Sequence, residues 1–152
     1  MTGRLEESGA ERASYDLITM TDVLEHTDHP LRFLEFVSEY LKPGGYMLIT
    51  FPDINSIESR YVQFLALISR RNWIRRRCCH IPEHTWEFTP ATARCMFEKA
   101  GFAVRGFRRR QDSAEACTGL LSLLLLPTRL LNIPVLGNLA GTQMHFVIQK
   151  QA

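Results

Sequence analysis

Two acidic side chains and a histidine stand close together in the sequence, directly after the apolar run at residues 15–20. They are Asp22, Glu25 and His26. An unperturbed histidine titrates near neutral pH, so His26 is suited to accept a proton from a substrate, with the Glu25 carboxylate beside it. The same side chains are also suited to brace a following helix through hydrogen bonds to its backbone. The sequence leaves both interpretations open.

The elements around these residues form a strand–helix–strand unit. Residues 15–20 have the length and apolar character of a strand, and a helix is predicted from Pro30 to the Pro-Gly-Gly turn at 43–45. Residues 46–51 form the second strand, which is apolar on both faces as in a sheet that helices cover on both sides. The expected buried stripe of the helix consists of Leu31, Leu34, Val37 and Leu41.

A second helix and two more strands extend this unit. Thr89 can cap a helix that begins at Pro90 and ends before Gly101, and strands are predicted at 102–109 and 144–150. Together these elements predict one α/β domain over the 152 residues, with a partial Rossmann-like fold. Its core is expected at about 15–53, 84–110 and 143–149, with inserts at about 54–83 and 111–142.

Ligands of open α/β sheets bind beyond the carboxyl ends of the strands, which we call the rim of the sheet. The segment after the first strand therefore belongs to the rim, and so does the segment after the second. The polar and turn residues expected there are Thr21, Asp22, Glu25 and His26 from the first segment, and Pro52, Asp53 and Asn55 from the second.

Two stretches carry a family resemblance. "YDLITMTDVLEHTDHPLRFLEFVSEYLKPGGYMLITFPDINS", residues 15–56, resembles the central block of class I S-adenosylmethionine-dependent methyltransferases, and more narrowly their small-molecule branch related to ubiquinone-biosynthesis O-methyltransferases. "HIPEHTWEFTPATARCMFEKAGFAV", residues 80–104, is similar to a later block of the same family, with an H-x-x-x-F-[ST] step and a helix that ends in A-G-F. The resemblance implies methyl transfer from S-adenosylmethionine to a small molecule, at oxygen.

The resemblance also implies what the 152 residues do not contain. In this family the glycine-rich cofactor loop and the acidic residue that holds the ribose precede the matched block, and neither occurs here. We therefore expect the C-terminal half of a seven-stranded sheet, a truncated domain that is inactive alone or needs its N-terminal half. A non-catalytic fragment that acts as a binding module, and an RNA methyltransferase, are the alternatives.

By resemblance, Met20, Thr21 and Asp22 line the methionine end of the cofactor. The resemblance places His84 over the same rim, which makes it a second candidate for the general base, with Glu25 and His26. The alternative for His84 is a structural role, in which it stabilises the return of the first insert to the core.

The resemblance also raises the question of a metal ion. Asp22, Glu25, His26 and His84 are similar to the metal-binding set of small-RNA 2′-O-methyltransferases, but Asp22 stands where that pattern has a glutamate. A glutamate and histidine at this position are also widespread in methyltransferases without a metal ion, so we expect none, with a bound divalent ion as the alternative. Cys78-Cys79-His80 does not predict a zinc site either, because adjacent cysteines chelate poorly and no second C-x-x-C follows.

Charge and composition limit the partners. The net charge of +2 predicts no strong attraction to nucleic acid. Base stacking would require aromatic residues interleaved with the arginine clusters at 70–77 and 108–110, and Trp73 alone is weak support for it. The leucine-rich segment 117–136 is expected to pack against the sheet, and the alternatives are an apolar substrate pocket and contact with a membrane surface. Four cysteines without framework spacing, and no secretory signal, predict a reducing cytoplasm.

Two apolar surfaces complete the expectations. Ile57, Phe64 and Ile68 recur near helical spacing in the first insert, together with Tyr61 and Leu65, and such a stripe usually packs into a core. The strand at 15–20 carries no lysine, proline or bulge to guard its edge, so we expect self-association through it.

Overall fold

The computed structural model describes residues 9–69, 84–110 and 141–151. Its centre is a mixed sheet with the strand order β1-β2-β4-β3. Strands β1 and β2 are parallel, whereas β4 runs antiparallel to both of its neighbours. The strands are β1 (Tyr15–Thr21), β2 (Leu41–Pro52), β3 (Phe102–Arg110) and β4 (Gln143–Lys150). All four predicted strands are thereby confirmed.

The helices begin and end at local signals that the sequence contains. Helix α1 spans Pro30–Ser38, helix α2 spans Ile57–Ser69 and helix α3 spans Pro90–Lys99. The prediction for α3 is confirmed in detail. The Thr89 hydroxyl accepts the backbone N–H of Thr92, while the Thr92 hydroxyl accepts that of Thr89, so two N–H groups of the first turn are satisfied. Gly101 follows the helix at φ +81°, which suits glycine.

The first helix is shorter than predicted, and Leu41 was assigned to the wrong element. Leu41 is buried in β2, opposite Tyr15, while the next paired residues are Leu17 and Tyr46. The segment 42–45 therefore bulges out of β2 before regular pairing starts. Gly45 is required there, because a Cβ atom would lie 3.0 Å from the carbonyl oxygen of Lys42 and 3.3 Å from that of Asp16.

The hydrophobic core lies on one face of the sheet, beneath α1 and α3. Leu34 and Val37 of α1 are buried there, as predicted, whereas Leu31 is half-buried. Aromatic rings form the centre of this core, and Phe51 stacks on Phe146 with the ring centroids 5.8 Å apart. Phe97 of α3 meets Phe146 edge to face at 5.1 Å. The sheet and the two helices are thus held together mainly by buried apolar area.

The opposite face of the sheet differs from the prediction. Leu17 of β1 is 50% exposed, and Tyr46 and Leu48 of β2 are each 41% exposed. Within the described ranges no helix covers these side chains, so the expectation of a sheet covered on both faces is not met there. The apolar sequence of β2 predicts cover on that face, since exposed parallel strands are rare.

Helix α2 is confirmed as a helix but not as a core element. Ile57, Phe64 and Ile68 are 46%, 56% and 64% exposed, so they do not pack into the core of the described residues. The side chains of Tyr61 and Leu65 lie outside the described part. No helix of the described residues is both long and apolar enough to cross a membrane. The segment 117–136, the arginines at 70–77 and Cys78-Cys79-His80 lie outside the described residues as well.

Candidate active site

The rim at the end of β1 begins with a sharp turn of the backbone. Asp22 has φ +51°, a left-handed conformation that aspartate tolerates better than most side chains. Its N–H still donates to the carbonyl oxygen of Thr50 in β2, at 2.9 Å. The chain then leaves the sheet and forms a 3-10 turn at Leu24–His26. This turn places Glu25 and His26 directly beyond the carboxyl end of β1.

Backbone hydrogen bonds bring a distant segment to the same place. The N–H groups of Thr85 and Trp86 both donate to the carbonyl oxygen of Glu25, at 2.8 and 3.1 Å. As a result His84 lies against His26, with the ring centroids 4.8 Å apart and the ring planes at 75°. The sequence-based expectation that His84 reaches the rim agrees with this geometry.

Glu25, His26 and His84 form one compact group, which we call the Glu–His–His cluster. One possible ligand atom from each residue lies within 4.8 Å of those of the other two. Glu25 is 1% exposed, His26 is exposed and His84 is half-buried. Asp22, by contrast, is not one of the grouped residues.

The Glu25 side chain does not brace the following helix. Neither of its carboxylate oxygens has a hydrogen-bond partner, although both are buried. The N-cap residue of α1 is His29, and no side chain caps the helix by a hydrogen bond. The structural alternative for Glu25, a brace between its carboxylate and the helix backbone, therefore does not apply.

The surroundings of Glu25 favour its neutral form. Burial raises the pKa of Glu25 above its ordinary value, and the negative charge of Asp22 acts in the same direction. The N–H of Glu25 itself and the nearby His26 ring oppose this change, although that N–H makes no hydrogen bond of good geometry to the carboxylate. A buried acid that lies close to a second acid and has a raised pKa is typical of a functional position.

The three residues predicted to line the methionine end of the cofactor lie at the end of β1, in different surroundings. The Met20 side chain is 7% exposed within the core, so only its backbone faces the rim. Thr21 and Asp22 are exposed. Thr21 also lines an open depression of about 550 Å³ on the uncovered sheet face, which does not include the Glu–His–His cluster. Thr21 and Asp22 thus offer hydroxyl, carboxylate and backbone groups to a ligand.

Asp53, which the sequence placed on the second part of the rim, has a structural role. Its side chain is fully buried, and Arg109 of β3 lies 2.8 Å from its Oδ2 atom. Its Oδ1 atom accepts the N–H of Asn55 at 2.9 Å. Arg109 was not predicted as a residue of the rim. Exposed and half-buried side chains alternate at the end of β3, where Arg109 is half-buried between the exposed Arg108 and Arg110, and this two-residue period is the signal that distinguishes it.

Comparisons with known proteins identify the family to which the chain belongs. The profile of a family described as "Methyltransferase domain" matches residues 4–105. The chain belongs to the S-adenosylmethionine-dependent methyltransferase family. Among curated proteins it is similar to the mitochondrial ubiquinone biosynthesis O-methyltransferase of Dictyostelium discoideum, with 26% identity over 73 residues, which are 48% of this chain and 21% of the relative.

A second relative and two solved structures also match the chain. The hybrid PKS-NRPS synthetase lepA of Aspergillus flavus is 39% identical over 56 residues, 37% of this chain and 1% of the synthetase. A Thermotoga maritima protein, described as a SAM-dependent methyltransferase and possible histamine N-methyltransferase, matches with a TM-score of 0.62 and 16% identity over 99% of this chain. An S-adenosylmethionine-dependent methyltransferase from Mesorhizobium loti matches with a TM-score of 0.54 and 14% identity over 97% of this chain.

These matches show that the chain has the fold of a methyltransferase domain, and they show how much of that fold the chain contains. The chain covers 63% of the Thermotoga methyltransferase and 67% of the Mesorhizobium one. The mixed α/β sheet described above is therefore the part of a methyltransferase fold that this chain forms.

Proposed function

We propose that the intact protein transfers a methyl group from S-adenosylmethionine to a hydroxyl oxygen of a small molecule. The observation that carries this proposal is the Glu–His–His cluster at the carboxyl end of β1, in a chain of the methyltransferase family. Transfer to oxygen requires that a hydroxyl proton be removed, and the cluster offers two imidazole rings for that task. The match to a ubiquinone biosynthesis O-methyltransferase supports oxygen as the acceptor.

The roles of the residues follow from their positions. When bound, S-adenosylmethionine supplies a methyl group that is already activated for displacement. Thr21, Asp22 and the backbone of Met20 hold its methionine end at the rim. His26 accepts the acceptor's proton because its ring is exposed. The positive charge of the protonated ring favours ionisation of Glu25, and the resulting carboxylate stabilises the ring. His84 orients the acceptor or serves as the alternative base. The protein's main contribution is to position the two reactants.

We propose further that this chain forms the C-terminal half of the seven-stranded methyltransferase sheet and needs additional polypeptide to be active. Two observations support this. The chain covers 63% of the Thermotoga structure, and β1 has a strand on only one side within the described ranges. Additional polypeptide, in the same chain or in another one, would supply the strand beside β1 and the rest of the cofactor pocket.

The exposed side chains beside β1 also favour a second function, that of a non-catalytic module that binds another chain. Transfer of a radiolabelled methyl group separates the two functions. The protein is assayed alone and when expressed with the flanking genomic sequence, against phenols, amines, thiols and RNA. We expect transfer to phenols in the extended protein. If the extended protein transfers methyl groups to none of these acceptors, the non-catalytic binding module is favoured. Preferred transfer to amines or RNA would contradict the proposal that the acceptor is a hydroxyl oxygen of a small molecule.

A further inference from the structure

Residues 84–88 cross the rim of the sheet and are fixed at both ends. At one end, the N–H groups of two of these residues donate to the carbonyl oxygen of Glu25, beyond the carboxyl end of β1. At the other end, Phe88 forms a bridge to Asp53, directly after β2, and its ring lies 5.0 Å from that of Phe51, centroid to centroid. The backbone of this segment is therefore held over the ends of two neighbouring strands.

Trp86 lies in the middle of this segment, and it is 43% exposed. Its own N–H is one of the two that bond to the carbonyl oxygen of Glu25, at 3.1 Å, and His84 of the Glu–His–His cluster precedes it by two residues. Single exposed apolar side chains are common on protein surfaces, so the exposure alone indicates nothing. The position of Trp86 is what distinguishes it, because a large aromatic surface is open to a ligand beside the groups assigned to proton transfer.

We propose that Trp86 binds the methyl acceptor by stacking of its indole ring on the flat ring of a phenol. This inference rests on the proposed function and adds to it the residue that selects the acceptor. Stacking uses the faces of the two rings, whereas the hydroxyl group of a phenol projects from the edge of its ring. The hydroxyl group of a stacked phenol therefore stays accessible to an imidazole of the cluster for proton transfer.

Two other classes of acceptor fit Trp86 less well. A cationic amine also binds over the face of an indole ring. However, burial favours the neutral form of Glu25, so this acid adds little attraction for a cation. A saturated alcohol gains apolar contact with the indole but no stacking. Trp86 is therefore assigned to a neutral aromatic acceptor, and the other two classes are outcomes of the test.

The fluorescence of Trp86 measures this binding directly. The chain contains two tryptophans, so Trp73→Phe leaves Trp86 as its only indole. Phenol should quench the emission of this 152-residue variant saturably, in the absence of S-adenosylmethionine. Cyclohexanol and tetramethylammonium, measured by competition with phenol, should each bind at least about 5-fold more weakly, since loss of a stacked ring costs at least that much. No saturable quenching by phenol, or equally tight binding of either competitor, would overturn the proposal.

Tyr46→Leu, added to the Trp73→Phe variant, is the matched control for binding elsewhere on the apolar surface. Tyr46 is 41% exposed, close to the value for Trp86, and lies six residues before the end of β2, about 20 Å from the rim. The affinity for phenol should be the same with and without this substitution. A loss of about 5-fold or more would assign the bound phenol to the uncovered face of the sheet and contradict a site at Trp86.

Kinetics of the protein expressed with its flanking genomic sequence show whether this binding serves methyl transfer. Trp86→Leu should lower kcat/KM for phenols by at least about 5-fold through a higher KM, with little change in kcat, because Trp86 binds the acceptor and moves no proton. Trp86→Phe keeps a ring that can stack and should retain a KM close to that of the parent. Equal losses of kcat in both variants would indicate a structural role instead, and circular dichroism checks that each variant is folded.

The two measurements separate this inference from the proposed function. Transfer to phenols with an unchanged KM in Trp86→Leu would reject Trp86 as the acceptor-binding residue and leave the methyltransferase function intact. Saturable binding of phenol at Trp86, without methyl transfer to any acceptor, would retain the binding site and reject the proposed function.

Discussion

Arg109 holds one oxygen of Asp53 with two of its nitrogens, Nε and Nη2, each at 2.8 Å from Oδ2. The Asp53 side chain is completely buried and that of Arg109 is 22% exposed. Asp53 directly follows β2, whereas Arg109 belongs to β3, and β4 lies between these strands. The ion pair therefore connects the rim segment after β2 to β3, across the intervening strand β4.

Removal of Arg109 should destabilise the fold strongly. The variant Arg109→Leu leaves the Asp53 carboxylate buried without its charge partner, which typically costs about 3–5 kcal/mol in the free energy of unfolding. Chemical denaturation measures this loss. The matched control is Lys42→Met, which removes the exposed pair of Lys42 with Asp16 and should cost less than about 1 kcal/mol. Similar losses in both variants would show that burial does not distinguish the two pairs.

The elements of the fold that local signals determine could be predicted from the sequence, and α3 is the clearest case. Thr89 caps it, Pro90 starts it and Gly101 follows it, and none of these effects depends on distant residues. Leu41 was placed wrongly because its spacing continues the helical stripe. The bulge at 42–45 that moves it into a strand depends on pairing with β1, which the local sequence does not encode.

The candidate site could be predicted in part. The rim position of Glu25 and His26 follows from the end of a strand. The contact of His84 with His26 depends on two hydrogen bonds to the Glu25 carbonyl, between segments about 60 residues apart, and came only from the family resemblance. The pair of Asp53 with Arg109 is also formed by residues distant in sequence, and no local pattern connects them.

The contribution of Glu25 to the stability of the chain should fall as the pH rises. Because burial raises the pKa of Glu25, the folded chain keeps this proton at pH values where the unfolded chain has released it. The stabilisation is present below the ordinary pKa of glutamate, 4.5, and is lost as the pH rises through the higher value of the folded state. Glu25→Gln should remove this dependence, so the variant should gain stability relative to the parent between acidic and neutral pH.

Thermal unfolding in a chelating buffer, from pH 4 to pH 7 in steps of about one unit, measures this difference. Glu35→Gln, on the exposed side of α1, is the control and should leave the pH profile of the parent unchanged. A Glu25→Gln profile that runs parallel to that of the parent would contradict a raised pKa at this position.

Replacement of the cluster histidines should lower turnover in the active protein. One of the variants His26→Ala and His84→Ala removes the general base. The kcat of that variant should fall by about 10²-fold or more, because general-base catalysis typically contributes that much. The affinity for S-adenosylmethionine should change little, since neither ring is placed at the cofactor. His29→Ala should keep full turnover. Unchanged kcat in both cluster variants would indicate that neither histidine is a general base and that the protein acts only by positioning the two reactants.

The 152-residue chain alone should bind S-adenosylmethionine weakly or not at all. In the proposed arrangement Thr21 and Asp22 reach the methionine end of the cofactor, whereas the family resemblance implies that the adenosine and ribose contacts precede residues 15–56. Calorimetric titration of the purified chain gives the dissociation constant. A value in the low micromolar range would contradict the proposed truncation, and recovery of such a value in a protein extended by its flanking genomic sequence would support it.

The open edge of β1 should make the isolated chain associate. Within the described ranges β1 pairs only with β2, so the backbone N–H and C=O groups along its other edge have no strand to bond. Beside this edge Tyr15 is 42% and Leu17 is 50% exposed, and β1 contains no lysine or proline. Such edges pair readily with other strands. Sedimentation velocity at several concentrations should therefore show dimers or larger species.

A charge on the edge strand should weaken that association more than a charge elsewhere. Leu17→Lys adds a lysine to β1, where it opposes the approach of a second strand as natural edge residues do. Leu67→Lys is the matched control, because Leu67 is 77% exposed on helix α2, away from the sheet edge. We expect monomers to predominate in Leu17→Lys and association to persist in Leu67→Lys. Equal effects of the two substitutions would indicate nonspecific apolar contact, and a parent chain that stays monomeric with a sharp thermal transition would show that the β1 edge is already covered.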